Sequence, residues 1–314
     1  MAKTSPWDLD FGESRKAAQK QLGHKLEVLR PLVQFSHKFL HDCRDVSVSE
    51  VDMVVAMAFR QCLEFADAVD ILLRHMAIAP AAAQARGALE HAPQVVLLAT
   101  RRDPVLAAAY LLSSLRQMEH ELERKKKAGG LDEEDRAGFE DALDGLQQLY
   151  SANASDRAGK EALAALQPLG PGRPWYALRN GPDNIHKLIR DVGLDPLSHL
   201  YQDLNPVAHG GMPLMAIAAA SGDPGSENDP DWLRPLRSTS PWSFRPILAA
   251  GTAVNVAFVH VFAYFVPRLQ HWIAEFREFR KEHNRRCARA EMPVLGHPED
   301  DPLTQHQPAR TPTL

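Results

Sequence analysis

Residues 47–76 read SVSEVDMVVAMAFRQCLEFADAVDILLRHM, and this stretch is the clearest indication of the fold. Its apolar residues recur every three or four positions, which is the spacing that places them on one face of an α-helix. The first four residues, SVSE, match a capping box at a helix start, so the helix is expected to begin near Ser47 or Ser49. The apolar positions are Val51, Val54, Val55, Ala58, Cys62, Phe65, Val69, Leu72, Leu73 and Met76.

The rest of the chain continues helix after helix, without the strand-like alternation that turns would separate. A first helix is predicted from Ser14 to Cys43, with an interruption at Pro31 because proline removes a backbone donor. Further on, Gly129-Gly130 separates the two arms of a helical hairpin. We therefore predict an all-α fold, a multi-helix bundle with a helical hairpin and flexible termini.

The domain organisation follows from where the apolar periodicity starts and stops. We expect a flexible N-terminus over residues 1–13 and one helical bundle domain over residues 14–290. Within that domain, residues 221–243 are polar and rich in proline and glycine, which predicts a surface loop. The polar, proline-rich composition of residues 291–314 predicts a disordered tail.

Length and composition are those of a globular protein with a sizeable core. The chain has 314 residues, 45% of them apolar and 24% charged. Its net charge of −4 argues against a generally basic nucleic-acid coat but leaves room for a local basic stripe. Three isolated cysteines fit a reducing compartment, and the N-terminus lacks the order of a signal peptide. We therefore expect a cytoplasmic protein.

One apolar run admits two interpretations. Residues 247–266 form an uncharged run of twenty residues, which is long enough to cross a bilayer. A central helix buried on all sides in a bundle gives the same pattern. Asn255 and His260 lie inside the run and would be costly in lipid, which favours the buried helix. That helix is expected to continue through Pro267 to about Arg289, with no membrane partner.

Two groups of polar residues interrupt apolar helices and form the candidate site. Arg86 and Glu90 are one helical turn apart in an alanine-rich helix, so they share a face. Tyr201, Asn205 and His209 recur every four residues, and Asn205, followed by proline, is expected to cap a new helix. Because buried polar groups need partners, these side chains are expected to meet. They either fix helix packing or bind an anion beside a histidine acid or base.

These motifs resemble those of a known family. The pattern Arg86-x-x-x-Glu90, followed by Tyr201-x-x-x-Asn205-x-x-x-His209, is similar to that of an uncharacterised family of bacterial all-helical proteins, a domain of unknown function. The resemblance covers about residues 51–270. The family usually has serine where this chain has Asn205, and both residue types cap helices. Because that family has no assigned activity, the resemblance implies the fold and the polar cluster but no reaction.

A second resemblance is to the HEPN superfamily of helical nucleases and nucleotide-binding proteins. Its signature is an arginine followed by a histidine after a gap of four to six residues. Arg179 and His186 match with the longest gap, although Gly181-Pro182 is expected to break the helix there, and Arg86 and His91 match with a shorter one. The resemblance implies metal-independent RNA cleavage at a dimer interface, in which histidine moves the proton and arginine stabilises the phosphorane charge.

Two function classes therefore remain open. The leading hypothesis is a HEPN-like effector that acts on RNA or a nucleotide in a bacterial toxin or anti-phage setting. The alternative is a non-enzymatic helical module that binds a partner protein or a small ligand. The candidate catalytic residues are Arg86, Glu90, Tyr201 and His209, followed by Arg179 and His186.

Two further patterns favour plainer interpretations. His37 and His41 have the i, i+4 spacing that can grip a metal, but the buried face of their helix is expected opposite them. We therefore expect an exposed pair, with neither a metal nor a cofactor. The basic end of the last helix can contact phosphate, but a solvated end that matches the helix dipole is favoured. Its residues are Arg277, Arg280, Lys281, Arg285, Arg286 and Arg289.

Overall fold

A computed structural model of the protein describes residues 11–114, 157–169, 173–208 and 244–292, with isolated helical positions between 124 and 148. Over these residues every regular element is a helix, and none is a strand. The all-α multi-helix prediction is therefore confirmed. Several predictions concern residues outside this description, namely the tip of the helical hairpin, the surface loop, the C-terminal tail and His209.

The helices are numbered here in chain order. They are α1 (Phe11–Val46), α2 (Glu50–Leu73), α3 (Ile78–Arg101), α4 (Pro104–Ser114), α5 (Arg157–Leu166), α6 (Ile185–Asp191), α7 (Asp195–Ala208), α8 (Arg245–Phe265) and α9 (Trp272–Arg289). Short 3₁₀ segments follow α5 at Gln167–Leu169 and precede α6 at Trp175–Asn180.

Helix α8 lies at the centre of the core. It packs against α1, α2, α3 and α7. Its rings Phe258 and Phe262 are fully buried, and both contact Phe39 of α1. Among the described residues, α8 is the one helix long and apolar enough to cross a membrane, and 67% of its most apolar window is buried in the protein. This packing favours the interpretation of the apolar run as a central bundle helix.

A close contact between α2 and α3 positions the helix that carries Arg86 and Glu90. A Cβ atom added at Gly87 would lie 2.6 Å from ring atoms of Phe65 on α2. The ring of His91, one turn after Gly87, packs on the same phenylalanine at 4.9 Å between centroids. Glycine is therefore needed here because the two helices approach too closely for a side chain.

Two proline-based predictions about helix breaks are wrong. Helix α1 runs without a break through Pro31, where the core residues Leu29 and Leu32 hold both sides of the proline in the bundle. Helix α7 likewise runs through Pro206, so Asn205 does not start a new helix. In each case burial of an apolar face outweighs the backbone hydrogen bond that proline removes.

Two helix boundaries also differ from the prediction. The capping box of α2 is formed by Ser49 and Asp52, whose side chains each accept a backbone N–H, and not by Ser47 and Glu50. The last long helix is in fact two helices, because α8 ends at Phe265 and α9 starts at Trp272. A break follows from Pro267, which has no N–H to continue the ladder. Helix α9 then packs against α1.

Candidate functional site

Arg86, Glu90 and Tyr201 meet through short hydrogen bonds. Arg86 Nε donates to Glu90 Oε1 at 2.9 Å, and Arg86 Nη2 donates to the Tyr201 hydroxyl at 2.7 Å. The Tyr201 hydroxyl donates to the same Glu90 oxygen at 2.8 Å. These three residues, called the Tyr201 triad below, join α3 to α7 across 115 positions of sequence. The expected meeting of these three side chains is observed.

The triad lies at the edge of the core. Tyr201 is 5% exposed, whereas the side chains of Arg86 and Glu90 are 19% and 36% exposed. The Arg86 guanidinium carbon also lies 4.9 Å from the centre of the Tyr201 ring, which adds a cation–π contact. The tyrosine ring is thus anchored inside the bundle, while the Glu90 carboxylate reaches solvent.

The electrostatics of the triad keep its two donors protonated. Burial raises the pKa of Tyr201, and the hydrogen bond to Glu90 raises it further, against the opposing effect of Arg86. Burial lowers the pKa of Arg86, but the hydrogen bonds to Tyr201 and Glu90 outweigh burial and raise it overall. At neutral pH the triad therefore offers a cation and a neutral hydroxyl. It holds no nucleophile or base derived from tyrosine.

His186 completes the site. Its ring lies edge-on to the Tyr201 ring, with 4.9 Å between centroids and 87° between planes. His186 belongs to the first turn of α6, which starts where the Asn184 side chain accepts the Lys187 N–H at 3.0 Å. The tight turn before α6 requires Gly181, since a Cβ atom there would collide with the carbonyl of Tyr176. This turn places a half-buried imidazole against the triad.

Arg179, the other half of that sequence motif, has different partners. Its guanidinium pairs with Asp103 at 2.6 Å and with Glu161 at 2.8 Å. Its backbone is left-handed, with φ of 54°, as expected where the predicted helix break at Gly181-Pro182 begins. Among the described residues, the structure brings His186 to the Tyr201 triad and Arg179 to the two carboxylates.

Behind the triad lies a hydrogen-bonded chain that was not predicted from the sequence. Gln94 Nε2 donates to the Glu90 backbone carbonyl at 2.8 Å, and Trp175 Nε1 donates to Gln94 Oε1 at 3.1 Å. Burial, helped by nearby Glu90, raises the pKa of Tyr176 to about 12. Gln94 could have been found, because it lies one turn after Glu90 on α3. Trp175 and Tyr176 lie in an irregular segment, where no periodicity points to them.

A second arginine–carboxylate–tyrosine group was also not predicted from the sequence. Arg268 donates to both carboxylate oxygens of Asp52 at 2.8 and 2.9 Å, and the Tyr264 hydroxyl donates to Asp52 at 2.7 Å. The backbone N–H groups of Val48 and Ser49 donate to the same carboxylate at 3.0 Å. These three side chains, called the Asp52 triad below, join the start of α2 to the end of α8.

The Asp52 carboxylate is buried and ionised. Asp52 is 3% exposed, and burial alone would raise its pKa. The hydrogen bonds from Arg268 and Tyr264, together with the two backbone N–H groups, instead lower its pKa far below the usual range. The signal available in the sequence was the spacing of Tyr264 and Arg268, four residues apart, together with the acidic residue three positions after Ser49.

The remaining candidates lie apart from both triads. His37 and His41 are exposed, and no three His, Cys, Asp or Glu side chains among the described residues are placed to hold a metal ion. His260 Nδ1 lies 2.9 Å from the carbonyl oxygen of Val256 on its own helix. At the basic end of α9, Glu282 pairs with Arg285 and Arg286, which neutralises part of that charge.

Comparison with known proteins gives one match. The model of a family described as a family of unknown function (DUF5677) matches residues 52–220, which include all three residues of the Tyr201 triad. Searches against curated proteins and against solved structures give no match. The resemblance to an uncharacterised helical family is thereby confirmed. The HEPN resemblance stays a prediction.

Proposed function

Because the chain belongs to the family of unknown function DUF5677, whose description carries no activity, we propose its function from the site itself. The protein is proposed to be a cytoplasmic helical effector that cleaves RNA or acts on a nucleotide, in a bacterial toxin or anti-phage setting. The site is the Tyr201 triad together with His186. All three cysteines are free and buried, which is consistent with a reducing compartment.

The observation that carries this proposal is that Arg86 and His186 both contact the ring of Tyr201. The Arg86 guanidinium lies over that ring, and the His186 ring lies edge-on to it. A cation, a neutral hydroxyl donor and an imidazole are the groups that phosphoryl transfer from RNA needs. Glu90 binds both donors and so fixes their orientation, and donors held in place stabilise developing charge most effectively.

The proposed reaction is attack of the ribose 2′-hydroxyl on the adjacent phosphorus. His186 accepts the 2′-hydroxyl proton as the new O–P bond forms. Arg86 stabilises the negative charge of the phosphorane, and the Tyr201 hydroxyl donates to a phosphorane oxygen in place of Glu90. The bond from phosphorus to the 5′-oxygen then breaks, and the leaving oxygen takes a proton from the imidazolium. The products carry a 2′,3′-cyclic phosphate and a 5′-hydroxyl, and the reaction requires no metal.

The test is cleavage of mixed RNA by the purified full chain. We expect His186→Ala to lower the rate by about 100-fold or more, as for loss of a general acid–base group. His199→Ala is the matched control, because His199 is exposed on neighbouring α7. This variant should cleave RNA at the rate of the intact chain. His209→Ala tests the predicted histidine outside the described residues. No cleavage by the intact chain, or equal loss in His199→Ala, would contradict the proposal.

The alternative, a non-enzymatic module that binds a partner protein or small ligand, is favoured by one observation. The Arg86 and Tyr201 donors are directed at Glu90, as in an ion pair that fixes helix packing. This alternative expects Tyr201→Phe to lower only the free energy of unfolding, with no RNA cleavage by the intact chain. Measuring both quantities on the same preparations decides between the two functions.

A further inference from the structure

A cationic cavity lies between α1 and the C-terminal end of α2, and its lining shares no residue with the Tyr201 triad. Its volume is about 320 Å³, and it is lined by Arg15 and Arg30 from α1 and by Arg74 just after α2. No acidic residue lines it among the described residues. Three guanidinium groups around one cavity repel one another unless anions compensate them.

Buried Asp70 orients two of these arginines. Its side chain is 1% exposed, and it accepts hydrogen bonds from Arg74 Nε at 2.7 Å and Arg74 Nη2 at 3.0 Å. The Nε atom of Arg30 lies 3.5 Å from the same carboxylate, across the α1–α2 interface. The two hydrogen bonds fix the Arg74 guanidinium, whereas Arg30 is held by its charge, and with five N–H groups each has further donors for a ligand.

Arg15 has no ion pair within the part of the chain that the structure describes, although it lines the same cavity. Among the described side chains, Asp70 compensates one of the three guanidinium charges, and two positive charges remain for a ligand. Oriented arginines suit phosphate because their planar N–H forks match its oxygens. The cavity therefore complements a dianion better than a monoanion.

The other wall of the cavity is apolar. Leu26 of α1 and Ile71 of α2 line it, and Ile71 is 49% exposed in spite of its aliphatic side chain. An isoleucine kept open beside three arginines gives a ligand both an apolar contact and a charged one. Cavities of this volume are at the lower end of small-molecule sites, which begin at roughly 300 Å³.

We propose that this cavity binds a small free phosphomonoester with an apolar or aromatic body, the size of a nucleoside monophosphate or smaller. The phosphate contacts the arginines, and the body packs on Leu26 and Ile71. This site is independent of the proposed RNA cleavage, since it shares no residue with the Tyr201 triad or with His186.

The test is calorimetric titration of the full chain with phenyl phosphate at fixed ionic strength. We expect saturable binding of one phenyl phosphate, weakened at least about fivefold in Arg15→Gln, which removes a cation of the cavity lining without touching Asp70. Arg60→Gln is the matched control, because Arg60 is an exposed arginine of α2 that pairs with Glu64 at 2.8 Å. Binding to that variant should equal binding to the intact chain.

Further measurements test the apolar contact apart from the phosphate contact. They also test whether the phosphate belongs to a small free ligand or to RNA. Ile71→Thr should weaken phenyl phosphate binding while leaving inorganic phosphate binding unchanged. Tyr201→Phe should bind phenyl phosphate normally, which locates the ligand away from the triad. No saturable binding, or equal weakening in Arg60→Gln, would overturn the proposal. Tighter binding of a 5′-phosphorylated oligoribonucleotide than of adenosine monophosphate would overturn the assignment to a small free ligand.

Discussion

The molecule groups an arginine, a carboxylate and a tyrosine twice, in two different settings. In the Asp52 triad, the arginine donates hydrogen bonds to both carboxylate oxygens. The tyrosine hydroxyl and two backbone N–H groups donate to the same carboxylate. In the Tyr201 triad, arginine and tyrosine both donate to a single oxygen of Glu90. The Asp52 carboxylate is buried, whereas the Glu90 side chain is 36% exposed and the triad has a histidine beside it.

This difference shows how one chemical group serves two purposes. A buried carboxylate that accepts several hydrogen bonds is fully compensated, so it holds helices together and has little capacity left for a ligand. A carboxylate that uses one oxygen at the edge of the core orients its partners and stays open to solvent. We therefore infer that the Asp52 triad is architectural and that the Tyr201 triad with His186 is the functional site.

The largest expected effect is on the free energy of unfolding of Asp52→Ala. Its loss leaves Arg268 and Tyr264 without their acceptor and uncaps α2, so we expect a destabilisation of about 3 kcal/mol. Glu90→Ala removes an exposed, singly used carboxylate and should cost about 1 kcal/mol. Denaturant unfolding followed by circular dichroism measures both variants, and the reverse order would contradict the architectural role of Asp52.

A smaller effect is expected from pH. Because the folded pKa of Asp52 is below its unfolded value of about 3.9, its ionised form stabilises the protein above about pH 4. That contribution is lost as the pH falls toward the folded pKa. The difference in unfolding free energy between the intact chain and Asp52→Asn should therefore be constant above about pH 5 and shrink below pH 4. A difference at pH 2 as large as that at pH 7 would exclude this origin.

The helix contact at Gly87 provides a further comparison. Gly87→Ala introduces a methyl group against Phe65, and overpacking of this kind costs about 1–3 kcal/mol. Because Gly87 adjoins Arg86 on α3, the strain should disturb the Tyr201 triad while the Asp52 triad keeps its geometry. We expect Gly87→Ala to cleave RNA more slowly. Mutating Asp52 should lower the unfolding free energy by the same amount in Gly87→Ala as in the intact chain. Additivity of the two mutations, measured by a double-mutant cycle, checks this.

The tyrosine hydroxyls are expected to contribute less to stability than Asp52 does. Tyr264→Phe removes a buried hydrogen bond to a charged acceptor and should destabilise the protein by roughly 1.5 kcal/mol. Tyr201→Phe removes a bond to a partly exposed carboxylate and should cost about half as much. Thermal unfolding of the two variants side by side resolves this difference, and equal shifts would remove the energetic distinction between the triads.

Most of the helical architecture and the residues of the proposed site were predictable from the sequence. Apolar periodicity is a local property, so α2 and the central helix α8 follow from it. Arg86, Glu90 and Tyr201 were predictable because each breaks an apolar face and so needs a partner. The continuous helices through Pro31 and Pro206 were not, since tertiary packing offsets the missing backbone bond there.

The unpredicted parts depend on contacts between distant segments. Asp52 looks like an ordinary helix cap, and only the fold brings Arg268 to it across 216 positions of sequence. Similarly, Arg179 and His186 share a motif, yet the turn at Gly181 directs them to different partners. Local spacing marks the individual residues in both cases, but their partners are set by how distant segments of the chain pack.

The division of roles between the triads is tested most directly by one paired measurement. RNA cleavage rate and unfolding free energy are determined for Tyr201→Phe and Tyr264→Phe on the same preparations. We expect Tyr201→Phe to cleave at least about tenfold more slowly with little loss of stability. Tyr264→Phe should be less stable but cleave at the rate of the intact chain. Slower cleavage by Tyr264→Phe alone, or no cleavage by the intact chain, would contradict the assignment.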